Sequence, residues 1–100
     1  MSERPRRYYT TPIYYASGEP HLGHAYTTIL TDVLARFDRQ DDCEVLFLTG
    51  TDEHGPKIQQ EAEKRGVSPI ELCDDMAARF SAAWERLDLS HDRFIRTTEA

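Results

Sequence analysis

The chain has 100 residues, 39% hydrophobic, 30% charged and 10% aromatic, with five glycines and five prolines, a make-up that excludes disordered and fibrous classes. Twelve Lys and Arg against 18 Asp and Glu leave a formal charge of −6, so the chain as a whole offers no attractive field to a polyanion, and a nucleic-acid partner would have to be held locally or elsewhere. The longest apolar run, Val45-Leu46-Phe47-Leu48, is far short of the roughly 20 residues that span a bilayer, and the first five residues lack a signal-peptide core; a cytoplasmic protein without membrane contact is expected.

Residues 1–6, with Arg4, Pro5 and Arg6, read as a flexible leader, and the fold is expected to start near Arg7. Tyr8-Tyr9-Thr10-Thr11 is rich in strand formers and stops at Pro12, which predicts a short strand followed by an irregular loop through Gly18, Pro20 and Gly23. Tyr26, Ile29, Leu30, Val33, Leu34 and Phe37 then recur at helical spacing. They predict a helix packed on a sheet by this stripe, with Thr28, Asp32, Arg36 and Asp38 facing away. Asp41-Asp42 ends it, and Glu44 to Gly50 reads as a parallel strand covered on both faces.

Strand, helix, strand in this order predicts a βαβ unit of an α/β, Rossmann-like parallel sheet, with a right-handed crossover. A shorter helix from Pro56 to Arg65 stops at Gly66. Ser68-Pro69-Ile70-Glu71 has a cap residue, a first-turn proline and a capping-box glutamate, so a long helix follows toward Asp88. Its period makes Met76 and Trp84 core residues. Cys43 and Cys73 give neither a disulfide framework nor a zinc quartet and read as structural. Arg93 to Thr97 can open another strand.

Ligands of open parallel sheets bind outside the carboxyl ends of the strands, where two constellations fall. His21-Leu22-Gly23-His24 stands where the first loop becomes the helix. Unpaired amides and the positive end of the helix dipole favour a phosphate there, Gly23 allows close approach to the backbone, and two imidazoles can donate to phosphoryl oxygens. The bland alternative is a pair of surface histidines in a glycine turn. A metal site of His21, His24, Asp52 and His54 is a further alternative, although a spacing of three is not the helical metalloprotease pattern. Thr49 to Gly55 aims Asp52 at the same crevice, where its carboxylate could hold an ammonium group; the alternative is an acidic turn that caps the next helix.

The run from Pro12 to Thr27, with His21-Leu22-Gly23-His24 at its centre, resembles the HIGH signature region of class I aminoacyl-tRNA synthetases, in the form typical of the methionyl-tRNA synthetase family. Leu48-Thr49-Gly50-Thr51-Asp52-Glu53-His54-Gly55 strengthens the resemblance, which extends from Tyr8 to Thr98. It implies activation of methionine by attack of its carboxylate on the α-phosphate of Mg-ATP, release of pyrophosphate, and transfer of the aminoacyl group to tRNA(Met). It also implies that His21 and His24 contact ATP phosphates and that Gly23 packs under adenosine. Asp52 would bind the ammonium of methionine, the main chain at Ile13 would contact methionine, and Tyr15 would line its pocket.

The resemblance has gaps. Lys57 and Lys64 are the only lysines, and neither lies in the KMSKS loop of these enzymes. The connective insertion with its zinc knuckle, most of the methionine pocket and the helical anticodon-binding domain have no counterpart. Residues 7–100 are therefore expected to be the N-terminal part of a catalytic domain, with no zinc of their own and little complete aminoacylation by themselves. Two other functions stay open: a nucleotidyltransferase, which can carry an H-x-G-H motif at the same junction, and a catalytically silent synthetase-like module.

Overall fold

The computed structural model describes residues 4–99. In chain order the elements are β1 (Arg6–Thr10), β2 (Tyr14–Tyr15), α1 (Leu22–Gln40), β3 (Glu44–Asp52), α2 (Pro56–Arg65), α3 (Pro69–Arg86) and β4 (Arg93–Arg96). β3 is the centre of a four-stranded sheet and pairs in parallel with β1, β2 and β4. The Leu48 and Asp52 carbonyls accept from Thr11 and Ala16, whereas those of Phe47 and Thr51 accept from Asp92 and Thr97. Alternate carbonyls of a strand point to opposite edges, so β1 and β2 share one edge of β3 and β4 lies along the other. The fold is Rossmann-like, as the sequence pattern predicts.

Local signals placed most boundaries. Ser68 Oγ accepts the Glu71 amide at 3.2 Å, with Pro69 opening α3. Gly66, at φ 69°, closes α2 in the left-handed conformation. The pairing of β1 begins at Arg6, one residue before the expected start, and the Pro5 carbonyl already accepts the Glu44 amide; Met1–Glu3 of the expected leader lie outside the described residues. β2 falls where the sequence predicts an irregular loop. It is two residues long and follows Pro12, so neither hydropathy period nor run length announces it.

Two expectations about faces are corrected. α1 turns Thr28, Asp32 and Ala35 inward, while Tyr26, Ile29, Leu30, Val33, Leu34 and Phe37 are exposed. The helical period was right and the face reversed, because the polar inward groups are satisfied. Thr28 Oγ shares a 2.9 Å hydrogen bond with the Tyr14 hydroxyl, and Asp32 accepts the Ser90 amide and hydroxyl and the Arg36 guanidinium. β3 is likewise covered on one face only over its first half: Phe47 is buried, but Leu46 is 42% exposed. The buried core lies on the other side. Ala16, Ile58, Ala62, Leu72, Cys73 and Met76 form one cluster, and Tyr14, Phe80 and Trp84 form another. Among the described residues, no helix is long and apolar enough to cross a membrane.

Candidate active site

His21 is the N-cap of α1, in extended backbone conformation. Its Nδ1 accepts the Gly23 amide at 3.1 Å, and its own amide donates to Nδ1 of His24, also at 3.1 Å. Two imidazoles thus form the reciprocal capping box that Ser or Thr and Glu or Gln ordinarily make. Each Nδ1 is an acceptor and so bears no hydrogen; in the neutral rings the hydrogen sits on Nε2. The start of α1 therefore presents two Nε2–H donors at the positive end of the helix dipole. The rings stack with centroids 3.7 Å apart, and burial, reinforced by His21, lowers the pKa of His24. Gly23 permits the arrangement: a Cβ there would stand 2.9 Å from His21 Cε1.

β2 joins this pair to the second constellation. Tyr14 points to the helices, its ring 4.6 Å from that of His24. Tyr15, next in the chain, pairs in register with Asp52, and the Ala16 amide donates to the Asp52 carbonyl at 3.1 Å. A Cβ on Gly55 would lie 3.7 Å from Tyr15 Cε1, so the half-exposed tyrosine borders the Asp52 loop. Asp52 is half-buried, and its Oδ1 accepts the His54 amide at 3.3 Å. Ile13 lies at a shallow cavity of about 90 Å³ shared with Thr10, Leu48, Thr49 and Ile95. Larger hollows, of about 500 and 410 Å³, lie on the outer rows of β1 and β3 and along the exposed stripe of α1, without Asp52 in their walls. Chemistry and concavity do not coincide.

Glu53, adjacent to Asp52, carries the densest network here. Its side chain is fully covered and accepts from Thr51 Oγ at 2.7 Å, Thr98 Oγ at 2.6 Å, and Nε and Nη2 of Arg96 at 2.7 and 3.0 Å. Burial by itself would raise its pKa, but Arg96, Thr98 and Thr51 hold it below the ordinary carboxylate value. A carboxyl depressed on folding adds stability that is complete above its unfolded pKa and is lost as pH falls through the folded one. Urea midpoints are therefore expected to fall as pH drops below about 4, and to fall less in Glu53→Gln; equal slopes in the two proteins would show that the network carries no such linkage.

Neither Glu53 nor Arg96 stood out in the sequence as a site residue. They are 43 positions apart, and the only cue was a carboxylate next to Asp52. The four-residue metal alternative has no support in the arrangement: among the described residues, no three His, Cys, Asp or Glu side chains gather as a metal site, and His54 Nε2 lies 3.1 Å from the Thr97 carbonyl. Both cysteines are free and buried.

Residues 7–100 match the family described as tRNA synthetases class I (M). The chain belongs to that family. It is 54% identical over 94 residues to a methionine–tRNA ligase of Mycoplasma pneumoniae, covering 94% of this chain and 18% of that protein. Against the methionine–tRNA ligase of Mesorhizobium japonicum it is 56% identical over 96 residues, covering 96% and 19%. A structure of Mycobacterium tuberculosis methionyl-tRNA synthetase in complex with methionyl-adenylate superposes with a TM-score of 0.95 at 49% identity, over 96% of this chain and 19% of the other. The class I (M) segment described here thus spans less than one-fifth of the length of these relatives.

Proposed function

We propose that this chain is the HIGH-motif segment of a methionine–tRNA ligase catalytic domain. In this reading a methionine carboxylate oxygen attacks the α-phosphorus of Mg-ATP. The new O–P bond forms as the bond to the bridging oxygen breaks, and pyrophosphate leaves with that electron pair. His21 and His24 donate through Nε2–H to phosphate oxygens, and Gly23 lies under adenosine. Asp52 holds the methionine ammonium, Ile13 contacts methionine through its main chain, and Tyr15 lines the pocket. Transfer to tRNA(Met) would follow, through contacts that lie mostly in other parts of such an enzyme. Zinc, which the resemblance associates with an insertion, has no ligand set among the described residues, and magnesium enters with ATP as substrate.

The observation that supports this most is the similarity, at a TM-score of 0.95, to a synthetase solved with methionyl-adenylate. The reciprocal histidine cap and the Asp52 loop, joined through β2, give that similarity a chemical content. The test is ATP–pyrophosphate exchange by the full-length protein that carries this segment. Exchange is expected to require methionine. Nucleotidyl transfer to another acceptor without methionine would favour the nucleotidyltransferase reading instead, and no exchange at all would favour a silent module.

A further inference from the structure

We infer that Glu53 is a positioning residue for methionine recognition: its buried pairing with Arg96 fixes the loop that presents Asp52. This rests on the methionine–tRNA ligase reading above. The geometry is a clasp between the end of β3 and the end of β4. The Glu53 amide donates to Thr97 Oγ at 2.8 Å, and its carboxylate takes the bonds from Thr51, Thr98 and Arg96. His54 Nε2 meets the Thr97 carbonyl at 3.1 Å. Arg96, Thr97 and Thr98 therefore grip both residues that follow Asp52. The Asp52 carboxylate is oriented by the amide of the gripped His54, and among the described residues its second oxygen accepts no hydrogen bond from the protein. Arg96 is itself fixed from α3, by a 2.6 Å bond to Asp74.

Stability alone does not account for this arrangement. A buried ion pair is often no more stabilising than well-packed apolar groups of the same volume, because desolvation offsets the attraction. What the pair supplies is direction: a bidentate fork and two hydroxyls leave the carboxylate one orientation. Asp52 lies directly before the gripped residues, at the end of a strand, where backbone bonding to β2 stops with the Ala16 amide. Without the clasp, the loop from Asp52 to Gly55 would be tied to its surroundings chiefly by that bond and by the weak 3.8 Å bond from Cys73 Sγ to the Glu53 carbonyl.

The experiment compares Glu53→Gln, Arg96→Lys, Thr98→Val and Asp52→Asn in the full-length protein, with KM for methionine and for ATP measured separately by pyrophosphate exchange. Glu53→Gln is expected to raise the methionine KM by roughly tenfold or more, as misplacement of a binding group does, with the ATP KM within about twofold. Arg96→Lys, which keeps the charge and loses the fork, is expected to fall between wild type and Glu53→Gln. Thr98→Val removes one hydrogen bond and is mild enough to fold, with an expected rise of about threefold. If Asp52→Asn raises the methionine KM while Glu53→Gln and Thr98→Val leave it unchanged, or move both KM values equally, the positioning role is wrong and the ligase reading stands. If Asp52→Asn has no effect on methionine, the assignment of Asp52 fails, and the inference with it.

Discussion

His24→Ala is expected to lower methionine-dependent pyrophosphate exchange by roughly 10²- to 10³-fold, the loss that follows removal of one preorganised donor to transition-state charge. The reason lies in the cap. His24 Nδ1 is occupied by the His21 amide, so the proton sits on Nε2 and no tautomer change is needed when charge develops. Packing against Tyr14 and Phe80, at centroid distances of 4.6 and 5.1 Å, fixes the ring plane. The substitution also removes half of the capping box, at a cost of about 1 kcal/mol in stability. His24→Asn separates the two effects, since its side-chain oxygen can still accept the amide while its amide group cannot reach as far as Nε2. Both variants should lose exchange, with kcat falling more than the methionine KM rises; a loss under threefold in both would remove His24 from the reaction.

Gly50→Ala is expected to destabilise the protein by about 3 kcal/mol, the upper end of the ordinary range for overpacking. Gly50 pairs with Ile95 across β3 and β4. An added Cβ would stand 2.1 Å from the Ile95 carbonyl oxygen and 2.9 Å from its carbonyl carbon. These are backbone atoms of a paired strand, so relief requires the strands to part rather than a side chain to turn. The neighbouring residues are Thr49 and Thr51, both buried, and the clasp from Arg96 to Glu53 spans the same two strands. Exchange activity should therefore fall together with the urea midpoint. A stability change below about 0.5 kcal/mol, the size of a surface substitution, would mean that the strands are not so closely apposed.

The parts of this fold that were legible in the sequence are those set by neighbours in the chain. Ser68, Pro69 and Gly66 mark helix ends by local chemistry, and the sequence spacing of α3 identified Met76 and Trp84 as buried. The orientation of α1 was not legible. Its stripe of large apolar residues was the obvious inward face, yet close packing on β1 and β3 takes Thr28, Asp32 and Ala35 instead. Which of two faces at the same period turns inward depends on partners such as Tyr14 and Ser90, distant in sequence. At the site, His21, Gly23, His24 and Asp52 could be singled out because each lies in a compact motif. Phosphate chemistry for the imidazoles and ammonium chemistry for Asp52 followed from their placement at a helix start and a strand end, while ATP, adenosine and methionine came from the family resemblance. Neither residues nor resemblance pointed to the clasp, since an arginine in a strand-like run is ordinarily a solvated one.

The brevity of β2 has a thermodynamic consequence. Tyr14 and Tyr15 are its whole length: one leans on His24 and the other stands in register with Asp52. Under the proposed function, a nucleotide that shifted the imidazoles would act on the same dipeptide that borders the Asp52 loop. Any factor by which ATP changes the affinity for methionine must then equal the factor by which methionine changes the affinity for ATP. In the proposed function the dipeptide Tyr14-Tyr15 is thus a route by which the two substrates would feel one another, and a coupling factor read from either side tests it.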